Sequence, residues 1–416
     1  MRFISAVKMP ARKLAKHSPA LRKLMRKIMY SYRRCIYISR GIGKTVNNNL
    51  IVFESFSGKS YSDTPKAVYE YMISSYEYQE YEFVWIFKEP DKYSFLKSLK
   101  NTKVVRYRSS ECEKALNRAK YWIFNYRALD YWIPKKDQIY VQCWHGTPLK
   151  RLGYDIEKSD NAMNSLEEIR DKYRRDAIRF RYLLSPCSFA SEVFTSAWNL
   201  KALGKESAIL EIGYPRNDFL VNHTEDDVRR IKKRLGFENC SKRIILYAPT
   251  WRDNQHKASV GYTYETKVDF EKLRCALGEE YVILFRAHYL VANSFDFEKY
   301  GGFVYDVSDI DDINELYVLS DMLITDYSSV FFDYAILERP IIFYMYDLDE
   351  YRDDIRGFYL SLDELPGEVV ETEKELIRAI KNSKEKEDKH KLLKFNCLYN
   401  CLNDGKAANR ILKKIM

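Results

Sequence analysis

The chain has 416 residues, of which 46% are hydrophobic, and a formal net charge of +10. This length allows two domains of ordinary size, each with its own core, and a cleft between them. The first 53 residues contain 13 Lys or Arg and no Asp or Glu, which leaves a net charge of −3 for the remainder. Because this basic segment contains no groove-reading or base-stacking module, we expect no nucleic-acid partner. No apolar run approaches about 18 residues, so no membrane-spanning helix is predicted.

The N-terminal segment, residues 1–48, has the pattern of a basic amphipathic helix. Anionic lipid headgroups attract such a helix by about 1 kcal/mol for each basic residue near the surface. The alternative is a solvated helix that packs on its own protein. The segment lacks the uninterrupted apolar centre of a signal peptide, so we expect a peripheral protein on the cytoplasmic face of the cell membrane, with its eight cysteines reduced. The apolar positions at helical spacing are Leu21, Leu24, Met25, Ile28, Tyr32, Cys35 and Ile36.

From residue 49 onward, short apolar runs alternate with helical patterns, which is typical of a parallel α/β architecture. A charged helix predicted at 225–235 separates two series of these runs. We therefore predict a Rossmann-like acceptor lobe at 49–220 and a Rossmann-like donor-nucleotide lobe at 240–416. The runs expected to form strands are 50–53, 83–87, 103–106, 121–124, 138–142 and 182–185 in the first lobe, and 243–248, 281–285, 322–325 and 340–344 in the second.

The segment from Trp144 to Pro148 directly follows one of these predicted strands. A histidine there, at position 145, lies at the carboxyl edge of a sheet, where open α/β folds bind their ligands. Histidine accepts protons near neutral pH, and Gly146 allows a substrate to approach the backbone closely. The alternative is a structural histidine, but motifs in the second lobe favour a catalytic one.

Three predicted strands of the second lobe end in polar residues that suit a ligand. The first ends at Pro249 and Thr250, the next at Arg286 and His288, and the third at Ser328 and Ser329. In a parallel sheet all three endings lie at the same edge and face the histidine of the other lobe. Arg286 and His288 alternate in an extended segment, so both are expected on one side, where they could bind a pyrophosphate.

The serine pair precedes a predicted helix at 330–337, whose free N–H groups would attract a phosphate. Asp333 comes four residues after Ser329 and could contact ligand hydroxyls from the same helix face. Arg216, in a Gly-Tyr-Pro-Arg turn, is a further cationic candidate. Each has a plain structural alternative: ordinary capping, a solvated carboxylate and a structural turn. The sequence Gly41–Thr45 ends like a phosphate-binding loop, but Ile38 occupies the position of the required first glycine.

Together these motifs resemble the CDP-glycerol glycerophosphotransferase family, whose members build or prime teichoic acid in Gram-positive bacteria. The resemblance covers roughly residues 50–359. The motifs that carry it are Glu54-Ser-Phe-Ser-Gly-Lys59, Trp144-His-Gly-Thr-Pro148, Gly213-Tyr-Pro-Arg-Asn-Asp218, Ala248-Pro-Thr-Trp-Arg252, Arg286-Ala-His288, and Asp326-Tyr-Ser-Ser329 with Asp333.

The resemblance implies a GT-B fold, a membrane-associated enzyme, and a reaction without an essential metal or other cofactor. It implies that His145 takes the proton of an acceptor hydroxyl, which attacks the β-phosphorus of CDP-glycerol, while His288 and Arg286 stabilise the CMP that leaves. The acceptor would be a lipid-linked glycan. CDP-ribitol as donor and a nucleotide-sugar transferase remain open. The implied substrate-binding residues are Trp144, Gly146, Thr147, Pro148, Arg216, Pro249, Thr250, Arg286, Ser328, Ser329 and Asp333.

Overall fold

The computed structural model describes residues 19–157, 165–250, 256–257, 261–262, 268–286, 297–348, 357–383 and 389–416. The strands in these ranges are β1 (Asn47–Glu54), β2 (Glu82–Phe87), β3 (Thr102–Arg106), β4 (Ala119–Phe124), β5 (Ile139–Gln142), β6 (Tyr182–Ser185), β7 (Ile209–Glu211), β8 (Arg243–Ala248), β9 (His256–Lys257), β10 (Gly261–Tyr262), β11 (Tyr281–Phe285), β12 (Val304–Asp306), β13 (Met322–Thr325), β14 (Ile341–Tyr344) and β15 (Glu368–Val370).

The first α-helix precedes these strands, and the others come between and after them. They are α1 (Pro19–Gly41), α2 (Asp63–Ser74), α3 (Ser110–Arg118), α4 (Leu166–Ala177), α5 (Ser188–Ala197), α6 (Asp218–Asn222), α7 (Glu225–Arg234), α8 (Phe270–Leu277), α9 (Ile313–Leu319), α10 (Val330–Tyr334), α11 (Glu373–Asn382), α12 (Lys389–Tyr399) and α13 (Ala407–Ile415).

Two parallel sheets form the framework of the molecule. The first has the strand order β3-β2-β1-β4-β5-β6-β7, and the second has the order β12-β11-β8-β13-β14-β15. In each sheet the chain starts at a central strand, adds strands toward one edge, and then returns to the other side of that central strand to build the second half. A switch point therefore lies between β1 and β4 and another between β8 and β13. Ligands of open α/β sheets bind at the carboxyl ends of strands beside such switch points. This architecture confirms the prediction of two Rossmann-like lobes.

The central strands are predicted closely because they are continuous apolar runs with helices on both faces. Residues 243–248, 281–285 and 322–325 form strands with the predicted bounds. The sequence analysis missed the three-residue strands β7, β12 and β15, which contribute few apolar side chains. The predicted domain boundaries at 49–220 and 240–416 stay predictions.

The N-terminal helix α1 packs on the first lobe through its C-terminal half. The ring of Tyr37 is buried, and its hydroxyl donates to the carbonyl of Ile133. Arg40 forms an ion pair with Glu113, a buried carboxylate of α3. Earlier in the helix, the side chains of Leu24 and Ile28 are 54% and 61% exposed. The helix therefore has one end docked on the protein and an apolar stripe that faces solvent. Its predicted continuation through residues 1–18 lies outside the described residues.

The last helix, α13, packs on the first lobe although it follows the second lobe in sequence. Ile411 and Leu412 share a core with Val68 and Tyr69 of α2. The carboxylate of Asp218 in α6 accepts hydrogen bonds from the first two N–H groups of α13, which stabilises the start of this helix. The polypeptide thus crosses between the lobes twice, and its second crossing completes the core of the first lobe.

Polar and backbone contacts join the two lobes on either side of the cleft. Lys66 of α2 forms a 2.7 Å ion pair with Asp312, just before α9, and both side chains are largely buried. On the other side, the N–H group of Arg151 donates to the carbonyl of Gly357 at 3.1 Å. These contacts bring the carboxyl edges of the two sheets together, so the site between them contains residues of both lobes.

Candidate active site

His145 follows β5, and its ring is held in one orientation. Its Nδ1 atom lies 2.9 Å from the carbonyl oxygen of Asn125, which follows the neighbouring strand β4. A carbonyl can only accept, so Nδ1 carries the proton and Nε2 remains as an acceptor. The rings of Trp144 and Tyr126 pack against the imidazole, at centroid distances of 4.2 and 5.7 Å. This tautomer suits a general base that takes a proton through Nε2.

The backbone next to His145 adopts an unusual conformation. Trp144 has a φ of +52°, in the left-handed region that bulky residues rarely adopt. Its buried indole packs against Trp198 at a centroid distance of 4.8 Å, and the backbone N–H group of Trp144 donates to the side-chain oxygen of Gln142. Packing and hydrogen bonding thus impose a strained turn that directs the histidine into the cleft. Strain of this kind costs about 1–3 kcal/mol and is concentrated at functional sites.

The surroundings of His145 keep its imidazole neutral. Burial lowers the pKa of His145, and the nearby cations Arg216 and Arg127 lower it further. The Asn125 carbonyl and the carboxylate of Asp63 act in the opposite direction but do not reverse the shift. A base with a lowered pKa is already unprotonated at neutral pH, which is the form required to accept a proton.

The loops after β8 and β13 are joined by hydrogen bonds at the switch point. The hydroxyl of Ser329 lies close to the loop that contains His145. Asp326 accepts hydrogen bonds from the N–H and hydroxyl groups of Thr250 and so ties the ends of β8 and β13 together. Ser329 is the N-cap residue of α10, but its side chain forms no capping hydrogen bond. A Cβ atom added to Gly146 would lie 3.0 Å from the Ser329 hydroxyl, which shows how closely the two lobes approach here.

The structure alters the predicted helix at 330–337 and decides the capping alternative for Ser329. The segment predicted as one helix at 330–337 is α10 followed by a 3-10 turn at Ala335–Leu337, because Glu338 adopts a left-handed φ of +53° and Pro340 follows it. The structural alternative of ordinary capping does not hold for Ser329, because its side chain forms no capping hydrogen bond. Ser328 lies 3.5 Å from the N–H group of Val330 and is half-buried.

Arg216 and Asp333 form a buried ion pair across the cleft. The Arg216 guanidinium lies 2.8 Å from one carboxylate oxygen of Asp333 and 3.2 Å from Asp63. Asn217 donates to the other oxygen of Asp333 at 3.0 Å. The sequence analysis expected Asp333 to contact ligand hydroxyls, but in this structure its carboxylate is occupied by these donors. The cluster places the Gly-Tyr-Pro-Arg turn of the first lobe directly on α10 of the second.

The remaining predicted residues differ in their accessibility. Arg286 is held at the end of β11, where its guanidinium donates to the carbonyls of Ile310 and Val307 at 2.6 and 3.4 Å. Thr147 and Pro148 are buried beneath the histidine loop, and Pro249 is half-buried at the end of β8. His288 lies outside the described residues. The predicted contacts of all these residues with substrate stay predictions.

The sequence analysis missed several residues of the site. Asn125 holds the histidine, Asp63 and Asn217 complete the buried cluster, and Arg127 lies close enough to lower the pKa of His145. Asn125 and Arg127 directly follow β4. The argument used for the second lobe, that polar residues after parallel strands lie at the ligand-binding edge, would have found them in the first lobe. Asn217 lies in the motif from Gly213 to Asp218, but the sequence analysis gave it no role. Asp63 joins the cluster only through tertiary packing, which has no periodic signature in the sequence.

Two Rossmann-like lobes with a histidine at the facing sheet edges define a GT-B-like enzyme. Residues 36–416 match the family model described as CDP-Glycerol:Poly(glycerophosphate) glycerophosphotransferase. The chain belongs to this family of glycerophosphotransferases, which confirms the resemblance drawn from the motifs.

Characterised relatives support the same assignment. The chain is 40% identical over 371 residues to the teichoic acid poly(glycerol phosphate) polymerase of Staphylococcus epidermidis, which covers 88% of this chain but only 50% of that protein. It is 39% identical to the polymerase of the same name from Bacillus spizizenii, with coverage of 89% and 92%. It is also 40% identical to the teichoic acid glycerol-phosphate transferase of Staphylococcus aureus, with coverage of 90% and 94%. The chain thus spans half of one relative and nearly all of the other two.

Solved structures show the same fold. The wall teichoic acid polymerase TagF, in a His-to-Asn variant soaked with CDPG, superimposes with a TM-score of 0.84 and 38% identity, covering 95% of this chain and 96% of that one. The UDP-GlcNAc 2-epimerase of Neisseria meningitidis bound to UDP-GlcNAc has a TM-score of 0.51 and 9% identity, covering 88% of this chain and 99% of that one. The second likeness shows only that the GT-B-like architecture is shared.

Proposed function

We propose that this protein transfers glycerol phosphate from CDP-glycerol to a hydroxyl of a membrane-linked teichoic acid precursor and releases CMP. The acceptor oxygen forms a bond to the β-phosphorus of the donor, and the bond from that phosphorus to the oxygen of CMP breaks. The acceptor proton passes to His145. The single observation that carries this proposal is the family's histidine in a fixed, neutral form at the facing edges of the two lobes.

The second lobe supplies the groups that would bind the departing phosphate. The hydroxyl groups of Ser328 and Ser329 lie at the end of β13, and Arg286 lies at the end of β11. Donors fixed before the reaction stabilise developing negative charge without a reorganisation cost. In this arrangement, transfer proceeds by positioning and electrostatic stabilisation between the two lobes.

The test is CMP release by the purified protein with a lipid-linked acceptor and either CDP-glycerol or CDP-ribitol. We expect release with CDP-glycerol, and we expect His145→Ala to lower kcat by about 10²–10⁴ because it removes the general base. His223→Ala is the matched control, because His223 hydrogen bonds to Leu220 in α6 and takes no part in the proposed chemistry. Wild-type turnover in the His145 variant, or release with CDP-ribitol alone, would overturn the proposal.

We also propose that α1 attaches the enzyme to an anionic membrane surface. Its exposed Leu24 and Ile28 stand among basic residues, as in helices that lie in the lipid interface. In the described residues, no helix combines the length and apolar character needed to cross a bilayer.

Sedimentation with anionic vesicles tests this attachment. We expect Ile28→Glu to weaken sedimentation at least tenfold while leaving CMP release with a water-soluble acceptor unchanged. Leu393→Glu is the control, because Leu393 is 48% exposed on α12 and distant from α1 in sequence. Equal sedimentation of the Ile28 variant and wild type would refute a membrane role for this helix.

A further inference from the structure

The loop after β4 contains two buried donors that have no acceptor. The side chain of Asn125 is fully buried; its Oδ1 accepts the N–H of Phe56 at 2.8 Å, while its Nδ2 has no hydrogen-bond partner. Two residues later, Nη1 of Arg127 is also buried and unpartnered. Leaving such donors unpaired costs about 1–3 kcal/mol each, and more for a charged group. A native structure that bears this cost at a switch point is prepared for a ligand with acceptor oxygens.

The cation of Arg127 is held in place by an aromatic ring and shares its nearest carboxylate with other donors. Its guanidinium lies 4.8 Å from the ring centroid of Tyr173 in α4. The nearby carboxylate of Asp176 is occupied by other donors, namely the side chains of Arg179, Trp198 and Gln142. Within the ranges that the structure describes, no ion pair involves Arg127. A positive charge that is oriented by an aromatic ring, forms no direct ion pair and keeps one N–H donor unpartnered is suited to bind an anion.

Further cations extend from this loop toward α1. Burial lowers the pKa of Lys172, and the proximity of Arg127 and Arg26 lowers it further, although the carboxylates of Glu168 and Asp130 oppose the shift. Arg26 lies on α1 and forms a 3.3 Å ion pair with Glu168 of α4. Arg26 and Lys172 therefore add positive charge between α1 and the loop after β4, with the carboxylates of Glu168 and Asp130 beside them.

We propose that Asn125 and Arg127 form a binding site for a phosphodiester of the acceptor, one glycerol unit away from the hydroxyl that attacks the donor. This inference rests on the proposed function. Each transfer adds a phosphodiester to the acceptor, so the hydroxyl used in the next transfer is separated from a phosphate by three carbon atoms. Because the carbonyl of Asn125 also orients His145, this loop joins recognition of the phosphate to placement of the base.

Steady-state kinetics with two acceptors test the site. One acceptor carries a terminal glycerol phosphate, and the other is the same lipid-linked glycan without it. We expect Arg127→Gln to raise KM for the phosphorylated acceptor about 10- to 100-fold, as for loss of a charge-assisted hydrogen bond, and to leave KM for CDP-glycerol unchanged. The preference of the wild type for the phosphorylated acceptor should disappear. Arg127→Lys should retain part of it.

Two further variants separate binding from a general loss of structure. Asn125→Asp keeps the side-chain oxygen that accepts the Phe56 N–H group but replaces the free N–H donor by a carboxylate oxygen. This variant should therefore also bind the phosphorylated acceptor substrate more weakly. Arg174→Gln is the control, because Arg174 lies on the same helix as Tyr173, is exposed and pairs with Asp171. An Arg127→Gln enzyme with unchanged acceptor preference, or with a raised KM for CDP-glycerol alone, would overturn the inference.

A binding measurement separates this inference from the proposed function. Isothermal titration of the full chain with a short glycerol phosphate oligomer, in the absence of donor, should show binding that Arg127→Gln weakens at least tenfold. Such binding by a wild type that releases no CMP would support the anion site and refute the transferase proposal. Equal binding by wild type and Arg127→Gln would refute the anion site even in an active enzyme.

Discussion

The residues around His145 divide into those that fix the ring and those that set its charge. The carbonyl of Asn125 fixes the tautomer, and the strained backbone of Trp144 fixes the direction of the side chain. Burial and two nearby guanidinium groups set the charge by favouring the neutral imidazole. Removal of the His145 ring should therefore lower turnover itself, whereas a change in its charged surroundings should shift the pH dependence of turnover.

The pH dependence of turnover reports the charge of His145 directly. Because a general base must be unprotonated, kcat/KM should fall on the acid side with a midpoint at the pKa of His145. Burial lowers this pKa, so we expect a midpoint below the ordinary histidine value of about 6.5. Asp63→Asn should move the midpoint further toward acid pH, since the Asp63 carboxylate raises the pKa. A midpoint above 7 in the wild type would contradict the assignment.

Glu54 provides a second titration, in this case of stability. Burial raises the pKa of Glu54 to about 8, although the Gly58 N–H group and the charge of Lys88 partly oppose the shift. A carboxyl group with a raised folded-state pKa contributes stability at low pH that is lost as the pH rises from the unfolded value through about 8. The loss by pH 9 is on the order of 4 kcal/mol.

Replacement of Glu54 by glutamine should remove this pH dependence. The amide oxygen can still accept the Gly58 N–H hydrogen bond, now formed at 2.7 Å, but the side chain cannot ionise. Urea unfolding should show that wild type loses more stability than Glu54→Gln between pH 6 and pH 9. Glu77→Gln, at an exposed glutamate, should behave as wild type. Parallel losses in wild type and the Glu54 variant would show that another group controls this range.

Helix α1 illustrates which features of an element are readable from sequence. The alternation of apolar and basic residues predicts an amphipathic helix, and Pro19–Gly41 is a helix. The sequence left membrane attachment and packing on the protein as alternatives, and the structure shows packing at Tyr37 and Arg40 together with an exposed apolar stripe. Contacts such as that between Arg40 and Glu113 join residues 73 positions apart, so local periodicity cannot reveal them.

The docking of α1 should be sensitive to one small residue. A Cβ atom added to Gly41 would lie 2.0 Å from the side-chain oxygen of Asn117. Asn117 cannot easily move, because its amide donates to the carbonyls of Tyr37 and Glu113. We expect Gly41→Ala to destabilise the docked helix by about 1–3 kcal/mol, as for overpacking of a core. Hydrogen exchange should show faster exchange of residues 30–41 in the variant than in wild type.

Buried ion pairs are among the contacts that hold the two lobes together. Arg216, Asp63 and Asp333 bury one cation between two carboxylates, and Lys66 and Asp312 form a second largely buried pair. Buried pairs are costly to break because one charge is then left without its partner. These buried charges and an apolar core shared by both lobes together fix the relative position of the lobes.

Lys66→Met should loosen the cleft more than Lys92→Met. The Lys66 pair with Asp312 is largely buried, whereas Lys92 is 50% exposed where it pairs with Asp311. We expect loss of the Lys66 pair to weaken the contact between the lobes by about 1–3 kcal/mol. Loss of the Lys92 pair should weaken it by less than about 1 kcal/mol. Small-angle X-ray scattering should show a larger radius of gyration for the Lys66 variant alone. Equal radii for both variants would contradict this difference.

The return of α13 to the first lobe has a consequence for how the protein is made. Ile411, Leu412 and Ile415 complete a core whose other members were synthesised much earlier, among them Tyr69 and Leu210. A ribosome that adds about 5–20 residues each second needs about 10–40 s to travel from the end of the first sheet to α13. During that interval the nascent first lobe exposes an apolar groove. Its folding on the ribosome is therefore incomplete until the second lobe has emerged.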